Sequence, residues 1–173
     1  MQQSLAAMVV GALRVAVLRG SPERVHYSRR RFIIGLILAV LTSAAVQWFV
    51  YHDHIVFTIL RVFAELTMFM LAAVLLTAKV ARFRLAYALL LLVLISLFAD
   101  AALLLVAPFD LGAAVHTVGF VLGLIALYGA SNTMSWALRK PLVQGAFVML
   151  VYVVAVIGLD LAFQTLYNMV ALG

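Results

Sequence analysis

Leu85 to Ala107 is a run of 23 residues in which Asp100 is the only ionisable side chain. At about 1.5 Å per helical residue such a run is roughly 35 Å long, enough to cross a hydrocarbon core of about 30 Å with some tilt. In a bilayer every backbone amide and carbonyl must be satisfied within the protein, so a run like this folds as a helix. Four more apolar runs flank it, at 32–51, 55–78, 111–130 and 142–166. The expectation is an all-α fold: a polytopic integral membrane bundle of five transmembrane helices, residues 1–173 forming one membrane domain.

Composition agrees with that class. Hydrophobic residues are 68% of the chain and charged residues 10%, against about 45–50% and about 25% in soluble domains. There is no cysteine, which excludes disulfides, a thiolate nucleophile and Cys-based metal centres. The net charge of +6 would point a soluble protein toward nucleic acid, but here the basic residues flank apolar spans, so no nucleic-acid partner is expected.

The distribution of basic residues sets an orientation. Arg14, Arg19, Arg24, Arg29, Arg30 and Arg31 precede the first span, Lys79, Arg82 and Arg84 follow the second, and Arg139 and Lys140 follow the fourth. Every basic residue except Arg61 therefore falls on one side, which the positive-inside rule makes cytoplasmic. The expected location is a bacterial inner membrane, N-terminus cytoplasmic and C-terminus periplasmic. Arg29, Arg30, Arg31, Lys79, Arg82 and Arg84 are also candidates for contact with anionic headgroups. Residues 4–19 are apolar with Arg14 and Arg19 at their end, the reverse of signal-peptide order, and are read as an N-terminal interfacial helix. The segment Ser131 to Pro141 is read as a loop.

Ionisable residues inside spans face a bundle interior by default. Counting along the helices places Gln47, Arg61, Asp100 and His116 at similar depth in the outer half, with Glu65 nearer the midplane on the same face as Arg61. One reading of this polar layer is structural: Arg61 bonds Asp100 or Glu65, Gln47 and His116 complete the network, and helix register is fixed. The other is an externally open polar cavity, in which Glu65 or Asp100 carries a proton or cation and Arg61 holds an anion. Gly112, Gly119 and Gly123 line one stripe of the fourth span and suit close helix packing, Gly119 and Gly123 forming a GxxxG. His52 and His54 flank Asp53 in a turn and are the metal-ligand candidates, N/O donors that suit zinc, copper or nickel, but a His-x-His in a loop falls far short of a spaced Cys/His set, and no metal or cofactor is assigned. No nucleophile elbow, phosphate loop, zincin or dinucleotide motif is present, so no catalytic residue is assigned and an enzyme is not expected.

Three stretches carry a family likeness: LRVAVLRGSPERVHYS before the first span, Ala81-Arg82-Phe83 leading into a span closed by Pro108, and WALRKPLVQG before the last span. They resemble small bacterial inner-membrane proteins of the Yip-type, five-span kind. The resemblance implies a five-helix bundle with a cytoplasmic N-terminus and a non-catalytic role through protein or lipid partners. The Asp-Leu-Tyr-Gly-Pro segment and long N-terminal region of the eukaryotic Yip proteins are missing, so their trafficking partners do not carry over. The resulting expectation is a non-enzymatic scaffold or accessory subunit whose partners are membrane lipids and other membrane subunits or a second copy of itself. The second function class is a small transporter or ion-conducting unit built on the outer polar site.

Overall fold

The computed structural model describes residues 10, 11, 14, 27–50, 55–106, 109 and 113–172. Most of the expected interfacial helix, His52, His54 and Gly112 lie outside the described residues. Five helices are long and apolar enough to cross a membrane, the architecture of a multi-pass integral membrane protein. They are α1 (Arg29–Phe49), α2 (Ile55–Thr77), α3 (Arg82–Val106), α4 (Ala113–Leu138) and α5 (Leu142–Leu172).

The basic residues explain the arrangement of the helix ends. Arg29 to Arg31 open α1, Lys79 and Arg82 bracket the α2–α3 turn, and Arg139 and Lys140 join α4 to α5. All of these ends lie at one pole, the basic end. Ser28 starts α1 from extended backbone, its hydroxyl accepting from the Arg31 amide at 3.2 Å, which satisfies one of the orphan donors of the first turn.

Round the bundle the order is α1, α3, α4, α5, α2 and back to α1, and the sequence neighbours α2 and α3 touch only lightly. The helices therefore form a ring, and α3, centred on the Leu85 to Ala107 run, is its most buried member. Against α1, Leu90, Leu91, Val93, Leu94 and Leu97 pack on Ala39, with Gly35 close to Val93. Near the basic end Val80, Leu85 and Ala88 meet Ala137, and α4 meets α5 through Ala130, Met134 and Met149. Lipid tails are as apolar as leucine, so these contacts hold by fit rather than by escape from water.

One sequence expectation is overturned here. Ser131 to Leu138 is not a loop but the last two turns of α4, which ends only at Leu138. The segment contains neither glycine nor proline, and two of its hydroxyls bond back to the helix itself. Ser131 donates to the Leu127 carbonyl at 2.7 Å, and Thr133, fully buried, donates to that of Gly129 at 2.9 Å. The true connection is Arg139, Lys140 and Pro141.

That connection is a Schellman turn. The Arg139 amide donates to the Trp136 carbonyl at 3.2 Å and that of Lys140 to Ser135 at 3.0 Å, with Arg139 itself at φ 54°. A left-handed backbone costs a side-chain-bearing residue about 1–2 kcal/mol, which glycine avoids. Arg139→Gly is therefore expected to stabilise the purified protein by about 1 kcal/mol, read as a higher midpoint of thermal or detergent unfolding. An unchanged or lower midpoint would refute the strain.

Candidate functional site

All five helices line a partly open cavity of about 560 Å³. Its basic-end portion is apolar, walled by residues such as Leu36, Leu76, Leu89, Ala130, Met134 and Met149. Its polar lining consists of Ser43, Gln47, Glu65, Ser96, Asp100 and Tyr152. Counted along the helices from the basic end, Tyr152 lies about 15 Å up, Glu65 about 18 Å, Ser43 and Ser96 about 21 Å, and Gln47 and Asp100 about 27 Å. The cavity is thus apolar at the basic end, and its few polar groups lie farther along the axis among apolar neighbours such as Val62, Leu103 and Ile157.

A second space of about 550 Å³ adjoins this polar end, lined by Gln47, Arg61, Ala64, Glu65, Val156, Ile157 and Asp160. It shares Gln47, Glu65, Val156 and Ile157 with the central cavity and lies where α2 faces α5. Across this seam runs a polar latch. The Arg61 guanidinium grips Asp160 with two hydrogen bonds, Nε donating to Oδ1 at 2.9 Å and Nη2 to Oδ2. Its Nη1 donates to the Gln47 side-chain oxygen on α1. Such a fork fixes both direction and distance, which a lysine could not do. One turn deeper, the Ser43 hydroxyl donates to Glu65 at 3.1 Å, tying α1 to α2 a second time.

The expected polar layer is therefore assembled in part, and with a different ion pair. Arg61 and Gln47 do meet, but the carboxylate that Arg61 holds is Asp160, not Asp100 or Glu65. Glu65 and Asp100 instead line the cavity. His116 is exposed on α4 and takes no part in the lining. Gly119 and Gly123 border the cavity, and a Cβ added at Gly123 would meet nothing within 4 Å, so this glycine leaves space instead of closing a helix contact. The close approach is made by Gly145, against the backbone of Ser131 and Ser135.

At the basic end Arg29, Arg30, Lys79 and Arg82 are exposed. Arg84 is turned inward, its guanidinium 5.2 Å from the centre of the Trp136 ring and donating to the Trp136 carbonyl at 3.2 Å. That position suits a cation, because the last carbonyls of α4 carry the negative end of its dipole. Among the described residues no group of three or more His, Asp or Glu side chains is placed to hold a metal ion. Comparisons with protein-family models, with curated proteins and with solved structures find no match, so the site is read from its geometry alone.

Proposed function

We propose that the protein binds an amphipathic small molecule inside the membrane, as a carrier or receptor, with the apolar body of the ligand toward the basic end and its polar head at the level of Glu65 and Asp100. The observation that carries this reading is the shape and chemistry of the cavity: about 560 Å³ lined by all five helices, apolar at the basic end and with its few polar groups gathered farther along. Ligand sites of drug-sized molecules fall in the range of about 300–1,000 Å³ and combine apolar walls with a few placed polar groups. Oriented by the positive-inside rule, the polar mouth opens to the outside of the cell.

Filling the cavity tests the proposal. Gly123→Leu inserts a side chain into open space and replaces glycine inside a helix, so the variant is expected to fold and to gain up to about 1 kcal/mol. Native mass spectrometry of the wild-type protein, released gently from its own membranes, is expected to show a stoichiometric small molecule that this variant lacks. A molecule retained by the folded variant would place the binding site elsewhere.

A second reading, a scaffold or accessory subunit, is favoured by the latch. Arg61, Asp160 and Gln47 satisfy one another across α1, α2 and α5 and set helix register without any ligand. In the same mass measurement this reading expects defined partner chains or a homo-oligomer.

A further inference from the structure

Building on the cavity as a binding site, we infer that its ligand is a lipophilic organic cation, the positive head seated between Glu65 and Asp100 and the apolar body against the leucine, alanine and methionine wall. The charge inventory of the bundle interior points this way. Away from the basic end, the described helices carry three carboxylates, Glu65, Asp100 and Asp160, and a single guanidinium, Arg61. That guanidinium is engaged by Asp160 and Gln47. Glu65 receives one hydrogen bond, from Ser43, and no described residue donates a hydrogen bond to Asp100. Two acids that line one space, with no cation of the protein between them among the described hydrogen bonds, disfavour an anionic head and favour a cationic one.

The rest of the wall narrows the class of cation. A bare metal ion requires more ligands than these side chains supply, and among the described residues no such set exists. The wall is instead mostly apolar, and it includes two aromatic rings, Phe69 and Tyr152. Carboxylates beside aromatic faces recognise alkylated ammonium and similar soft cations, which shed their hydration easily. The neighbouring space at the α2–α5 seam shares Glu65 and Gln47 with the cavity, so Glu65 faces both spaces.

The test uses the full-length protein in nanodiscs of zwitterionic lipid, with empty nanodiscs as the blank. Binding of radiolabelled tetraphenylphosphonium is measured by equilibrium dialysis and compared with that of tetraphenylborate, which has nearly the same shape and the opposite charge. Saturable binding of the phosphonium with no saturable binding of the borate is expected. Glu65→Gln and Asp100→Asn should each weaken phosphonium binding at least tenfold, while Arg30→Gln, on the exposed basic end, leaves it unchanged. Absent phosphonium binding, equal or tighter binding of the borate, or unaltered affinity in both folded acid-to-amide variants overturns the cationic assignment. If an acid-to-amide variant fails to fold, the comparison of the two ions on the unsubstituted protein decides. Borate binding that Gly123→Leu abolishes removes the cation but keeps the cavity as a site. If neither ion binds and no small molecule copurifies, both readings fall.

Discussion

Asp160→Ala is expected to destabilise the protein by about 2–3 kcal/mol and Arg61→Ala by a similar amount, while Arg61→Ala combined with Asp160→Ala costs distinctly less than the two single changes together. Removing one partner of a buried ion pair costs about 3–5 kcal/mol because the other charge is stranded. Here the pair is 24% and 23% exposed, which places the cost below that range. Without Asp160, Arg61 loses both arms of its fork on α5 and keeps Gln47 on α1. Without Arg61, Asp160 retains the Gln164 amide, one turn along its own helix at 3.4 Å, which does nothing to join α5 to α2. Removing both charges leaves two apolar side chains at a helix seam, where a membrane protein tolerates them. The measurement is unfolding in mixed micelles by increasing anionic detergent, followed by the fluorescence of Trp48 and Trp136, one toward each end of the bundle. A coupling energy below about 0.5 kcal/mol in the double-mutant cycle would show that the latch does not hold α2 to α5. Arg61→Lys should fall between wild type and Arg61→Ala, because a lysine keeps the charge but not the fork.

The latch also shows where sequence reasoning succeeds and where it stops. Number and polarity of the spans were legible because they depend on run length and on the placement of Arg and Lys, both visible in one dimension. The basic end of the structure gathers the residues that the charge pattern put on one side. Depth was legible too, but only relative to a known helix end. The apolar window of the last span stops near Leu166, which would put Asp160 close to the outer rim, whereas α5 continues to Leu172. Counted from the basic end, Asp160 lies about 27 Å along α5 and Arg61 about 24 Å along α2, nearly level. That count was the signal that could have paired them.

Facing was less legible. Sequence spacing shows that Ser43 and Gln47 share a face of α1, four residues apart, but not that this face meets Glu65 and Arg61 of α2. Helix order in the ring is a property of packing, and the light contact between consecutive α2 and α3 has no counterpart in chain order. Tyr152 was missed for the same reason, since a lone tyrosine in an apolar span carries no directional information until its neighbours are placed. Glycine spacing misled in a different way. A GxxxG motif records that two backbone positions lack side chains, and such positions serve a close contact or a void equally well. At Gly123 the result is a void.

Gly145 is where the contact is made, and Gly145→Ala is expected to destabilise the protein by about 3 kcal/mol. The Cβ added there would collide with the Ser131 carbonyl oxygen and lie 2.6 Å from the Ser135 amide nitrogen and 3.0 Å from its Cα. All three atoms belong to the backbone of α4, so no side-chain rotation relieves the clash and α5 must shift away as a body. Helix propensity acts in the opposite direction, favouring alanine by about 1 kcal/mol. Overpacking of this kind costs about 1–3 kcal/mol, occasionally more, when neighbours can adjust, and here the neighbour is a helix. Separating α4 from α5 also loosens Met134 and Met149, and in lipid no hydrophobic drive pulls the helices back together. The sign is therefore set by the clash. The same substitution at Gly158, where nothing lies within 4 Å, should be neutral or mildly stabilising, and supplies the internal control. Because the obstacle is main chain, Ser131→Ala should fail to rescue Gly145→Ala. Detergent-unfolding midpoints of the four proteins decide the matter: a Gly145→Ala midpoint equal to that of Gly158→Ala, or rescue by Ser131→Ala, would mean that α4 and α5 are not held together at this backbone contact.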